Sequence, residues 1–168
     1  MTALVSIIMG STSDLQVMEK AAVFFNTMEI PFEMNALSAH RTPEAVERYA
    51  KDAAGRGIKV IIAGAGMAAH LPGVIAAMTP LPVIGVPINA TLDGMDALLA
   101  MVQMPPGIPV ATVAINGALN AAIIAAQMIA TGNEILFDKL INYKMELKEK
   151  IEKANSELAQ ISYQYKTN

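Results

Sequence analysis

The sequence contains no cysteine and no tryptophan, and only two of its 168 residues are histidine. Without cysteine there is no disulfide, no thiolate nucleophile and no iron–sulfur ligation. Two isolated histidines offer no zinc-ligand spacing. A net charge of −3 without any basic run excludes a stripe able to neutralise the phosphates of a nucleic acid, so none is expected as a partner. Long hydrophobic runs are missing too. Gly, Pro, Ser or a charge interrupts each apolar stretch before the roughly 18 to 20 residues a membrane helix needs, so no membrane partner is expected either. The first nine residues lack the basic region of a signal peptide and pass directly into Gly10-Ser11-Thr12-Ser13-Asp14. They read as a first strand, and the expected location is the cytoplasm.

What is present is aliphatic. Hydrophobic residues make up 54% of the chain while aromatics contribute only 5%, a composition that suits helices packed closely on both faces of a parallel sheet. A mean hydropathy of +0.41 exceeds what one domain of this length needs for its own core, which points to a homo-oligomer. Short β-branched runs alternate with helical patterns along the chain. Strands are expected at Leu4 to Met9, Phe32 to Leu37, Val60 to Ala63, Pro82 to Pro87 and Pro109 to Ile115, and helices near 14–28, 43–56, 70–79, 93–103 and 117–131. Five βα units joined by right-handed crossovers make a three-layer α/β sandwich on a five-stranded parallel sheet. Pro31, Pro82 and Pro109 stand at strand starts, and Thr42 before Pro43 reads as the cap of the second helix.

From Glu134 the character changes. Charge density rises, and Leu147, Ile151, Ala154, Leu158, Ile161 and Tyr165 recur at steps of four and three. This is a narrow apolar seam on a terminal helix of roughly 45 Å at 1.5 Å per residue. The expected organisation is therefore one catalytic domain over 1–133 and a helical extension over 134–168 that packs on a neighbouring subunit.

Both histidines fall in small-residue loops just past expected strands, where open α/β sheets keep their ligands. His40 lies in Ser38-Ala39-His40-Arg41-Thr42-Pro43, and His70 in Gly64-Ala65-Gly66-Met67-Ala68-Ala69-His70-Leu71-Pro72-Gly73. Imidazole changes charge nearest neutrality, so both are candidates for proton transfer. A third loop, with Ser11, Thr12, Ser13 and Asp14, opens the first helix. Free amides at a helix start, together with Arg41, suit a phosphate, whereas Asp14 would repel one and fits sugar hydroxyls better. Gly64-x-Gly66-x-x-Ala69 matches a dinucleotide fingerprint in form. It follows the third strand, however, and Asn89 and Ala90 stand where an acidic residue about 20 positions on would be required. Gly64 and Gly66 instead permit close approach of a flat ring, with Ala68 and Ala69 as a low wall. The residues alone thus point to a ribose monophosphate carrying a small heterocycle, and to proton-transfer chemistry.

Five segments in this order carry a resemblance: Met9-Gly10-Ser11-x-Ser13-Asp14, Ser38-Ala39-His40-Arg41-Thr42-Pro43, Gly64-Ala65-Gly66-x-Ala68-Ala69-His70-Leu71-Pro72-Gly73, Pro82-Val83-Ile84-Gly85-Val86-Pro87 and Val102-Gln103-Met104-Pro105-x-Gly107-Ile108-Pro109-Val110. Over residues 4–131 the chain resembles the N5-carboxyaminoimidazole ribonucleotide mutases of bacterial purine synthesis. The resemblance implies a flavodoxin-like fold, an octamer whose C-terminal helix reaches neighbouring subunits, and isomerisation of N5-carboxyaminoimidazole ribonucleotide to 4-carboxy-5-aminoimidazole ribonucleotide. It implies no metal, nucleotide or organic cofactor. His40 becomes the acid/base and His70 its support, while Ser11, Ser13, Asp14, Ser38 and Arg41 bind substrate, with Gly66, Ala68 and Leu71 along the wall. Two departures stand out: Met67 occupies a place where many relatives have Gly, and the stretch from Ala114 to Ala122 is shorter than usual. The competing readings are a carboxylase that takes free carbon dioxide, and a nucleotide-binding module without catalysis.

Overall fold

The computed structural model describes residues 2–168. Five parallel strands form one sheet in the order β2-β1-β3-β4-β5: β1 (Val5–Met9), β2 (Phe32–Ala36), β3 (Val60–Gly66), β4 (Val83–Ile88) and β5 (Ala111–Thr112). This is the flavodoxin-like order, in which the chain reverses direction between β1 and β3 and leaves a crevice at their C-terminal ends. Strand β1 is buried at all five positions and β4 at all six, without polar alternation, because helices cover both faces.

The helices are α1 (Leu15–Met28), α2 (Pro43–Asp52), α3 (Leu71–Ala76), α4 (Met95–Val102), α5 (Ala118–Ala130) and α6 (Glu134–Ala159). On one face Ile8, Ile61, Ala63 and Ala65 of the sheet pack with Val46 and Ala50 of α2, Leu71 and Ile75 of α3, and Ala97 and Met101 of α4. On the other, α1 sits directly on bare backbone: a Cβ added at Gly64 would lie 2.5 Å from the Met18 sulfur. The chain falls into two compact units, one reaching Ile129 and the other running from Ala130 to Asn168.

Several elements are shorter than their patterns predict, among them α2, which ends at Asp52 rather than near 56. The expected strand Pro109 to Ile115 keeps only Ala111–Thr112, because an edge strand has one neighbour and Pro109 has no amide to donate; a single further bond, Val113 N–H to the Gly85 carbonyl, continues it. Helix α3 ends at Ala76 ahead of Pro80 and Pro82, which bias the backbone before them out of the helical region. Helix α6 has 26 residues, about 39 Å. The Lys166 ammonium folds back onto the carbonyls of Leu158 and Ile161, joining the Ile161 amide that the Leu158 carbonyl already accepts. Ile161 and Tyr165 lie beyond the helix, and the seam that remains is Leu147, Ile151, Ala154 and Leu158.

One polar network crosses the α2 face. Ser6, fully buried within β1, contacts the Tyr49 hydroxyl from α2. Tyr49 donates to Glu33 Oε1 at 2.6 Å, so its oxygen accepts from Ser6. Arg56 donates to Glu33 Oε2 at 2.8 Å and lies over the Tyr49 ring, 4.7 Å from its centroid. Burial pushes the Glu33 carboxyl up, but hydrogen bonds from Arg56 and Tyr49 and the Arg56 charge outweigh it and hold the group below its ordinary value. Burial and the neighbouring carboxylate keep Tyr49 protonated well above the usual phenol range.

Replacing Tyr49 by Phe leaves the buried Ser6 hydroxyl without its partner and removes a donor from Glu33. A loss of about 1–3 kcal/mol in urea denaturation at neutral pH is expected. Glu33 contributes its stabilisation above the unfolded carboxylate value and loses it as pH falls through its lowered value. The gap between parent and variant should accordingly narrow in acid.

Candidate active site

Strands β2, β1 and β3 run abreast, and Met9 pairs with Ala36 on one side and Gly64 on the other. Their C-terminal loops therefore leave the sheet at one level. All ten residues expected at a site, Ser11, Ser13, Asp14, Ser38, His40, Arg41, Gly66, Ala68, His70 and Leu71, line a single cavity of about 630 Å³. A second cavity, of about 760 Å³, lies at the opposite end of β4 and β5, and no titratable side chain lines it. The means for acid/base chemistry belong to the first.

The loop after β1 turns through a short 3-10 segment, Thr12–Asp14, capped by Ser11, whose Oγ accepts the Ser13 amide at 3.3 Å. Asp14 precedes α1 but makes no side-chain bond to its amides, so its carboxylate is available to the cavity; Ser13 Oγ donates to it at 3.1 Å. Burial raises the Asp14 carboxyl above its ordinary value, and the Ser13 bond opposes that rise.

The loop after β2 is self-bracing. Thr42 Oγ1 accepts the Ser38 amide at 3.0 Å and donates to the Ser38 carbonyl at 3.1 Å. Thr42 stands at the N-cap of α2 as expected, but without a side-chain capping bond: its hydroxyl turns back into the loop, and its carbonyl accepts the Ala45 and Val46 amides. Ser38 Oγ accepts the Arg41 amide at 3.2 Å and Arg41 Nε at 3.4 Å, while Arg41 Nη2 donates to the Gly10 carbonyl at 3.0 Å. The guanidinium is held against the first loop, in the cavity that Ser11 and Asp14 also line.

The loop after β3 brings the second imidazole across. His40 Nε2 and His70 Nδ1 stand 2.8 Å apart, with the rings edge to face at 85°. A hydrogen bond between two ring nitrogens requires one N–H and one lone pair, so the pair holds at most three ring protons while the bond survives. The two rings are coupled by this bond in a cavity that Arg41 and Asp14 also line.

One cavity residue, Ala90, lies outside the three expected loops. Ala90 follows β4 at the same edge of the sheet, and applying the strand-end rule to a fourth strand would have found it. Gly10 acts through its backbone, which no side-chain motif reveals. Among the described residues no three His, Cys, Asp or Glu side chains are gathered as a metal site would need.

If His70 sets the tautomer of His40, replacing it by Leu should release that constraint. Imidazole ¹⁵N shifts of His40 are expected to move from one dominant tautomer toward a mixture, with the urea midpoint nearly unchanged. Identical His40 shifts in the two proteins would deny the coupling.

Comparison with known proteins agrees with this geometry. Residues 4–150 match the AIR carboxylase family. The chain is 56% identical over 145 residues to the N5-carboxyaminoimidazole ribonucleotide mutase of Pyrococcus abyssi, covering 86% of this chain and 83% of that one. It is 51% identical over 162 residues to the phosphoribosylaminoimidazole carboxylase of Candida glabrata, covering 96% of this chain but only 28% of that longer protein. The crystal structure of Treponema denticola PurE superposes with a TM-score of 0.81 at 29% identity, covering 93% of this chain and 98% of that one. The flavodoxin-like sheet, the cavity at its C-terminal edge and these likenesses lead to one conclusion: the chain belongs to the AIR carboxylase family.

Proposed function

We propose that this protein converts N5-carboxyaminoimidazole ribonucleotide to 4-carboxy-5-aminoimidazole ribonucleotide, a carboxylate transfer within one molecule in purine biosynthesis. The observation that carries the reading is the His40–His70 pair at 2.8 Å in the cavity that also holds Arg41, Asp14 and the serines. Arg41 takes the phosphate as a charge-assisted partner, with Ser11, Ser13 and Ser38 around it, and Asp14 accepts from ribose hydroxyls. The imidazole lies along Gly66, Ala68 and Leu71. Fixing the ribotide at its far end orients the ring for reaction and supplies much of the rate advantage.

The chemistry then needs one proton moved twice. The N5–carboxyl carbon bond breaks, carbon dioxide departs and the electron pair remains on N5, which takes a proton from His40. Ring carbon C4 attacks the carbon dioxide and forms the new C–C bond. C4 then gives up its hydrogen as a proton to His40, so the proton lent at N5 is replaced and the sum is an isomerisation. His70 holds the His40 ring through the shared bond. No redox step arises, and the proposal calls for no metal or organic cofactor.

The direct test follows freshly prepared N5-carboxyaminoimidazole ribonucleotide at low bicarbonate, in parallel with aminoimidazole ribonucleotide at high bicarbonate. Product from the first substrate supports the mutase. Product from the second alone would make it a carboxylase, as the Candida glabrata relative is named; silence with both would leave a binding module. His40→Asn is expected to keep ribotide binding and lose turnover by about 10²–10⁴-fold, the usual contribution of a general acid/base. A variant retaining a tenth of the parent rate would remove His40 from that role.

The proposal extends to assembly: a cytoplasmic homo-octamer in which α6 packs on a neighbouring subunit. Its support is the seam of Leu147, Ile151 and Leu158, each exposed on the helix, flanked by Lys148–Glu152 and Lys153–Glu157 pairs along its length. A chain ending at Lys148 should give a smaller particle in light scattering. An unchanged subunit number would refute the role of the seam.

A further inference from the structure

The loop after β3 holds a feature that proton transfer does not use. Met67 has φ +56°, in the left-handed region where an L side chain crowds its own backbone and glycine does not. Its neighbour Ala69 has φ +44°. The path of this loop is imposed from outside: a Cβ added at Gly66 would meet the Ala90 Cβ at 2.9 Å and the Ile88 carbonyl at 3.2 Å, and the Ala69 amide closes the turn on the Gly66 carbonyl at 3.1 Å. The loop is thus packed tightly against the end of β4 at Gly66, and the left-handed turn falls on the next residue, Met67.

Core burial does not offset that strain. Met67 is 59% exposed, although its side chain lines the cavity that holds both histidines. An apolar, flexible side chain at the mouth of a polar site gains its burial only when something occupies the site. We infer that Met67 caps the reacting end of the cavity: its thioether closes over the bound ring, excludes water and keeps the released carbon dioxide against C4 until the new bond forms. This rests on the carboxylate transfer proposed above and adds to it a residue that governs retention rather than proton transfer.

The test uses the full-length protein and substrate labelled with ¹⁴C in the N5-carboxylate, turned over in excess unlabelled bicarbonate, with an enzyme-free control for spontaneous decay. The parent should carry most of the label into product. Met67→Gly relieves the left-handed backbone and should fold with an unfolding midpoint at least equal to the parent's, yet lose several-fold more label to the bicarbonate pool. Met67→Leu, with similar apolar bulk, should restore retention. Equal retention in Met67→Gly and the parent overturns the cap while leaving the mutase intact. Equal retention accompanied by a smaller particle in light scattering overturns it in favour of a subunit contact. A parent that makes no product overturns the functional reading and the cap together.

Discussion

The site depends on the parallel register of β2, β1 and β3. With Met9 level with both Ala36 and Gly64, three loops that are far apart in sequence emerge side by side, and nothing else in the chain would bring His40 to within a hydrogen bond of His70. Register in a parallel sheet is held by burial, because a one-residue slip turns each apolar side chain from one face to the other. In β1 and β3 the stakes are high: Ile8, Ile61 and Ala63 would leave the face that α2, α3 and α4 cover. The position of the two imidazoles is therefore set by the packing of aliphatic side chains beneath them.

Rigidity within the loops comes from a different source. The Thr42 hydroxyl binds the Ser38 backbone twice over, and Arg41 is tied to Ser38 and to Gly10 in the first loop. Such bonds at a partly exposed position add little net stability apiece. Their effect is to leave the guanidinium one place to be before any ligand arrives, which lowers the entropy lost on binding. Beneath them, the network of Ser6, Glu33, Tyr49 and Arg56 fastens α2 to β1 and β2. The helix entered from the His40 loop is thereby anchored by polar as well as apolar contacts.

Much of this was legible in the residues. The alternation of β-branched runs with helical periods located five strands, and the strand-end rule singled out the loops that carry His40, His70, Arg41 and Ser11 to Asp14; Ser38 and Leu71 entered as site residues through the family resemblance. What escaped was non-local. Ser6 sits in the run Val5-Ser6-Ile7-Ile8, where it reads as a small interruption, and its three partners are scattered from Glu33 to Arg56. Helix α6 ends at Ala159, and Lys166 returns to Leu158 just beyond it, a contact that the apolar repeat through Ile161 and Tyr165 does not announce. Thr42 reads as a helix cap because Thr before Pro usually is one, and only the neighbouring Ser38 backbone diverts its hydroxyl.

The brevity of β5 has a consequence of its own. An open sheet exposes two unpaired borders, and a long flat border recruits strands from other molecules into fibrils. Here one border is a two-residue strand preceded by Pro109, too short to template a foreign strand. The other, β2, is only five residues long and carries Glu33, a charge that disfavours pairing with a foreign apolar strand. A chain with so aliphatic an interior thus offers little edge for another strand to extend.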